Sequence, residues 1–208
     1  MLTVADGYVY MKRELEYFKI EESYGGNQSW FKDPFMNMGG CAAATACDSV
    51  IHFAMHAGKE HLYPYDIRNL KKEDYIRFSD VMKSYLHPRF TGVNKLDLFT
   101  EGFGKYLNSV GETELKVGEY SGHQPYEDAK VTLKKQIDGS LPIPFLTLRH
   151  KNPKMKDLVW HWYLIIGYEE HENDFFVKIV TYGDYQWISF SDLWNTGYKE
   201  KGGMIILS

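Results

Sequence analysis

A thiol attacks a carbonyl only as the thiolate, and only where its sulfur can be approached. Of the two cysteines in this chain, Cys41 has a local source for both conditions. It follows Gly39-Gly40 and opens the run CAAATACDSVIHFAMHAG, which meets no Gly or Pro until Gly58. The run reads as a helix with Gly58 as its C-terminal cap. Cys41 then lies in a first turn of unpaired N–H groups and partial positive charge. The preceding glycines let backbone and substrate come close, and the Cys41 N–H is a candidate oxyanion donor. Cys47 falls mid-helix among alanines and reads as packing. Six residues along a helix separate the two thiols by about 9 Å of axis and turn them to different sides. That is poor geometry for a disulfide, and two isolated cysteines do not make a tetrahedral zinc site.

A nucleophilic thiol needs a base. The chain has 8 histidines. His52, His56 and His61 lie on or just after the helix, away from its start, and His87, His123, His150 and His171 fall in apparent loops or turns. His161 differs, because it opens the apolar run His-Trp-Tyr-Leu-Ile-Ile-Gly-Tyr, where packing alone gives no reason for an imidazole. His52 and His56, four apart, share a helix face, but no Glu follows the first, as a zinc-protease motif requires. No metal and no cofactor are expected. Neither Gly-Gly pair is followed by Gly-Lys-Ser/Thr, so no phosphate loop is expected.

The elements that must position this pair follow from periodicity. A short helix is expected at Lys12–Ile20, then a loop from Ser23 to Gly40 rich in Gly, Asn and Asp-Pro. On the Cys41 helix, Ala44, Cys47, Ile51, Ala54 and Met55 recur at helical spacing, and small residues on several sides make it central. Amphipathic helices are expected over 72–86, with Ile76, Val81, Met82 and Tyr85 inward, and over 95–109, with Leu98, Phe99, Phe103, Tyr106 and Leu107 inward. Asn94 is the expected cap of the second. A strand over 113–120 precedes a helix over 125–137 closed by Gly139. Strands follow at 143–148, 160–168, 175–182, 186–189 and 203–207, with a helical turn at Ser191–Trp194 capped by Ser191. The 160–168 and 175–182 strands form a hairpin. Helices first and an antiparallel sheet after them make an α+β chain, helical to about 140 and β from about 141.

With 208 residues and 44% hydrophobic content, the chain is expected to form one domain spanning 1–208. Aromatics at 16% suit an aromatic core or cleft. A net charge of -4 with no Lys/Arg run argues against nucleic acid. No stretch approaches the ~20 apolar residues of a membrane span, so no membrane partner is expected. Residues 1–10 carry no basic segment followed by an apolar core, so a cytoplasmic protein is expected.

The order of these motifs resembles the papain-like cysteine peptidases, above all the branch of bacteriocin-leader peptidases. That branch has a Cys opening an Ala-rich helix, a helix ending Ile-x-x-Gly, a Pro-containing strand, then His on a strand ending Gly-Tyr. This chain has Cys41, then Lys134-Lys135-Gln136-Ile137-Asp138-Gly139, with one residue fewer between Ile and Gly, then Pro142-Ile143-Pro144-Phe145, and His161 through Gly167-Tyr168. The resemblance runs from about Asn27 to the C-terminus. It implies a papain-like α+β fold and a thiol hydrolase acting on a peptide or protein, with Cys41 as nucleophile and His161 as base.

The resemblance also implies an Asp or Asn on the strand after the histidine, to hold the imidazole tautomer. Its usual place falls near Thr181 or Tyr182, and neither is Asp or Asn. Asp184, just after Gly183, is the candidate, with Asn173 and Asp174 read as hairpin-turn residues. It further implies a Gln upstream of the cysteine as oxyanion donor. Gln28 is the only Gln before Cys41, 13 residues upstream, with Asn37 as a nearer alternative. Trp30, Phe31, Phe35, Trp160 and Trp162 suit either the cleft wall or the core. A transglutaminase-like or N-acyltransferase reaction uses the same residues. A non-catalytic papain-like module that binds a peptide or partner is the reading from a different class, favoured by the irregular third position. The segment before residue 23 carries no recognisable pro-segment, and the leader-cleaving role of the resembled branch does not carry over.

Overall fold

The computed structural model describes residues 2–5, 8–88, 92–172 and 174–208, with side chains from residue 11 onward. The chain is mixed α+β, with one large antiparallel sheet and helices on both of its faces.

The helix opened by Cys41 spans Cys41–His56 (α2), and Gly58 behind it adopts a φ of +67°. Ala-rich sequence favours the helix, and small side chains let neighbours approach from every side. Thirteen of its 16 residues are buried, so it is central. Met55, expected inward, is exposed at 41% because it falls in the last turn. A short helix, α1 (Pro34–Gly39), runs directly into it where a plain loop was expected; Asp33 Oδ1 caps it by accepting from Met36 N at 3.0 Å. Against α2 pack α3 (Lys72–Lys83) and α4 (Leu96–Ser109). The buried side chains of α3 are Tyr75, Phe78, Ser79 and Met82, so the inward face is rotated from the one expected and Val81 is exposed. Lys95, not Asn94, stands at the N-cap of α4 and makes no side-chain cap.

The sheet order is β1-β2-β7-β6-β10-β5, with β8 on β7 and β9 on β8. The strands are β1 (Leu2–Ala5), β2 (Tyr8–Glu14), β5 (Val117–Ser121), β6 (Ile143–Thr147), β7 (His161–Glu170), β8 (Phe175–Thr181), β9 (Asp184–Ser189) and β10 (Gly203–Leu207). A two-residue pair, β3 (Lys19–Ile20) with β4 (Ser23–Tyr24), stands apart. β7 is the hub: His161–Ile165 pair with β6, Gly167–Glu170 with β2, and Leu164–Glu170 with β8 across a bulge. Such a strand is buried on both faces, which is why its sequence is a continuous apolar run.

Two expectations fail here. Residues 12–14, expected as helix, belong to β2, and only 19–20 of the remainder forms structure. The ladder groups of Gly167–Glu170 need partners, and that demand outweighs local propensity. The division into a helical part and a later β part fails with it, since the N-terminal strands complete the C-terminal sheet. Asn173 lies outside the described residues.

Alternation along the strands feeds two cores. Leu146, Trp162 and Ile205 face α2, α3 and α4. Phe145, Tyr163 and Met204 face α5 (Tyr126–Asp138) and α6 (Phe190–Trp194). The cap of α6 is Ser189, whose hydroxyl accepts from Asp192 N, in place of the expected Ser191. Among the described residues no helix is long and apolar enough to cross a membrane.

Candidate active site

Cys41 is placed by a tight junction between two helices. Gly40 closes α1, its N–H donating to Met36 O at 2.8 Å, and is also the N-cap of α2. A Cβ there would lie 2.4 Å from Met36 O and 3.1 Å from the Phe31 ring, so only glycine lets the chain pass. The first turn of α2 thereby packs against β7, and Cys41, His161 and Trp162 border one cavity. Cys41 and Cys47 are both free thiols.

His161 is buried at 5% exposure, and both of its ring nitrogens face hydroxyls. Nε2 meets Thr181 Oγ1 at 2.6 Å and Nδ1 lies 3.4 Å from the Tyr182 hydroxyl. With Nε2–H donating to Thr181, Nδ1 carries the lone pair, met only by the long 3.4 Å contact from the Tyr182 hydroxyl. Tyr182 stacks on the ring, with centroids 4.5 Å apart and planes 6° from parallel. Thr181 pairs with Asp184 across a two-residue turn, Tyr182-Gly183, in which both residues have positive φ (+55° and +78°). This is the conformation such a hairpin demands, and it lays the Tyr182 ring on His161. Trp160, immediately before His161, also has φ +55°. Two bulky residues in this region cost about 1–3 kcal/mol each, a strain that concentrates at functional sites.

The third position is therefore corrected. Asp184 is exposed on β9, one strand beyond Thr181, and its Oδ1 accepts from Tyr185 N at 2.8 Å. Thr181 occupies the place beside the imidazole. Asp174 opens the route into β8 at the far end of the hairpin, its carbonyl accepting from His171 N.

Gln28, in a 3-10 turn over Gln28–Trp30, lines the same two cavities as Cys41. Its Nε2 donates to Asn37 O at 2.8 Å, leaving one amide N–H for a ligand, and its Oε1 is buried without a partner. Asn37 is not the donor: its own amide is committed to Ser29 O and Phe31 O. It holds Gln28 instead.

Two cavities meet at these residues and share Gln28, Cys41, His161 and Tyr182. One, of about 20 Å³, runs inward past Gly26 to Asp48. The other, about 690 Å³, opens outward between Phe35, Met38, Leu148 and Trp160. No Asp, Glu, Lys or Arg stands among its described lining residues. Phe35 and Trp160 thus wall the cleft. Phe31 and Trp162 are core, Trp162 stacking on Phe99 at 4.4 Å, and Trp30 packs edge-on against Tyr75.

Burial sets the resting charge. It pushes the Cys41 thiol up from its ordinary value, a rise only partly offset by hydrogen bonds from the main chain at Trp162, Ala42 and Cys41. Burial alone pushes His161 down to about 4. The helix start does not deliver the lowered thiol expected, because desolvation of the anion outweighs it. Burial thus favours the neutral form of both groups.

The sequence reading missed three residues. Thr181 and Tyr182 stand at the usual third position of the resemblance but are neither Asp nor Asn, and the Tyr182-Gly183 pair between two strands signals a two-residue turn that carries Asp184 away. Asp48 was passed over, although it is the one carboxylate in a helix buried all round, seven residues and about two turns from Cys41. His52, weighed for metal, lies with its Nε2 3.1 Å from Ser140 O. Comparison of the chain with protein-family models, with curated proteins and with solved structures finds no match to any of them.

Proposed function

We propose that the chain is a papain-like thiol hydrolase that cleaves a peptide or amide bond through Cys41 and His161. One observation carries this reading: nucleophile, base and amide donor (Cys41, His161 and Gln28) border the same open cleft. The Cys41 sulfur attacks the substrate carbonyl as its proton passes to His161 Nδ1. The free N–H of Gln28 and the Cys41 N–H receive the oxyanion. Collapse breaks the C–N bond, and the amine leaves with the proton from His161. Water then attacks the thioester, giving one proton to His161, and the released Cys41 sulfur takes that proton back as the acid departs. Thr181 keeps Nε2–H engaged, so Nδ1 is the basic nitrogen throughout. The described lining of the cleft carries no charged side chain, and with Phe35 63% and Met38 79% exposed it suits an apolar side chain on the acyl side.

A second reading, a non-catalytic peptide-binding module, draws support from the neutral Thr181 and from a Cys41 residue only 8% exposed. Iodoacetamide labelling separates the two. The hydrolase reading expects Cys41 to be alkylated well ahead of Cys47, and expects His161→Ala to slow Cys41 at least tenfold. Equal labelling of the two cysteines, or indifference to His161→Ala, leaves the binding module.

A further inference from the structure

Asp48 lies at the inner end of the small cavity below Cys41, and its carboxylate is fully engaged. Tyr17 Oη donates to Oδ2 at 2.6 Å and Tyr75 Oη to Oδ1 at 2.7 Å. Gly26 N–H lies 3.2 Å from each oxygen. A buried carboxylate is costly unless hydrogen-bonded, and burial here raises it to about 6. The groups facing it are those of Tyr17, Tyr75, Gly26 and, one residue back on its own helix, Cys47.

What the carboxylate holds is the segment 24–28, which joins the end of β4 to the 3-10 turn opened by Gln28. At Gly26 a Cβ would fall 1.9 Å from the Tyr75 ring, so the loop backbone is pressed flat on that ring beside Asp48. The loop has further ties. Gly25 N donates to Phe18 O, Tyr24 N to Gly183 O at 2.8 Å, and Asn27 Nδ2 to Tyr182 O at 2.7 Å. The next residue is Gln28. One segment of five residues thus touches the nucleophile helix through Asp48, the turn that stacks on His161 through Asn27, and the cleft through Gln28.

We propose that Asp48 is a positioning residue: by clasping Gly26 to α2 it sets Gln28 against Cys41. This rests on the hydrolase reading above for what Gln28 does. The clasp differs from general support of the fold in one respect. It serves the developing oxyanion, so it is felt by carbonyl chemistry and not by alkylation.

Two probes read that difference. With p-nitrophenyl acetate, the S–acetyl bond forms as the ester C–O bond breaks. The p-nitrophenolate leaves with the electron pair, and the thiol proton goes to His161 and then to solvent. Iodoacetamide forms an S–C bond and expels iodide, with no oxyanion. Gln28→Ala is expected to slow acylation about 100-fold. Asp48→Asn, which keeps the shape but leaves one acceptor oxygen for three donors, is expected to slow it at least tenfold. Added to Gln28→Ala, it should bring no further loss. Alkylation of Cys41 should stay within twofold in each. Asn27→Ala, at a half-buried position, removes both the tie to Tyr182 O and the cap that accepts from Ser29 N, the two side-chain bonds that fix the turn carrying Gln28, and should also slow acylation. Acylation within twofold of the unsubstituted protein, a parallel fall in alkylation, or additivity with Gln28→Ala overturns the proposal. If the unsubstituted protein is not acylated at all, the hydrolase reading fails. The clasp is then decided by amide exchange at Gly26–Gln28, where a tenfold acceleration in Asp48→Asn supports it and no change refutes it.

Discussion

Thr181→Asp places a carboxylate where a neutral hydroxyl now meets His161 Nε2 at 2.6 Å. An opposite charge at this range moves a titrating group by about 1–3 units, each worth about 1.36 kcal/mol. His161, now held at about 4 by burial, should rise to roughly 5–7 in the variant. The imidazolium so favoured stabilises the neighbouring thiolate. A thiol at its ordinary value of ~8.5 is about 1% thiolate at about pH 6.5, and buried Cys41 lies below even that. The assay is the iodoacetamide rate at Cys41, mapped by mass spectrometry from about pH 5 to about pH 9. The unsubstituted protein should show a rate that climbs steadily with pH and has no acidic plateau. Thr181→Asp should add a shoulder below about pH 7, with a rate at about pH 6 raised roughly tenfold or more. An acidic plateau already present with Thr181, or superimposable profiles, refutes the neutral-pair account.

Three further outcomes follow from the same geometry. Asp184→Ala should change Cys41 alkylation and acylation less than twofold, because its carboxylate is exposed and held by Tyr185 N; a tenfold loss would restore it as the orienting residue. Trp162→Ala should cost about 3–5 kcal/mol in denaturant unfolding, since the buried indole stacks on Phe99 and donates to Val93 O; a loss under about 1 kcal/mol would show that this core does not depend on it. Stability should fall on acidification. His52 and His161 are each lowered from 6.5 to about 4, so between about 4 and 6.5 the unfolded chain binds the extra protons and stability rises with pH. Asp48, raised from 3.8 to about 6, acts oppositely and loses stability as pH rises through about 6. Two protons against one leave a net gain of about 1.4 kcal/mol per pH unit between about 4 and 6. Asp48→Asn should steepen that slope in urea titrations, and a flat profile would contradict these assignments.

What was readable in the sequence is what depends on local pattern. The Ala run after Cys41 specifies a buried helix by itself. The continuous apolar run from Trp162 specifies a strand covered on both faces, and His161 stands out against it. Gln28 was found as the only candidate of its type, and the structure brings it to the cleft. The misses share another cause. β2 forms because the edge of Gly167–Glu170 needs a partner, a demand no window of residues 12–20 contains. Thr181 replaced Asp184 because a two-residue turn moves the chain to the next strand, so one unrecognised turn shifted the third position. Asp48 gains its meaning from Gly26 and Tyr75, which are 22 and 27 residues away.

The central claim is that Cys41, with His161 as its base, performs acyl chemistry in the cleft. Its most direct measurement is tandem mass spectrometry of the protein quenched during reaction with p-nitrophenyl acetate. The account predicts an acetyl group on Cys41 as the dominant adduct, with its formation at least tenfold slower in His161→Ala. Acetyl groups spread over surface lysines with Cys41 unmodified, or a Cys41 adduct that forms as fast without His161, would contradict it.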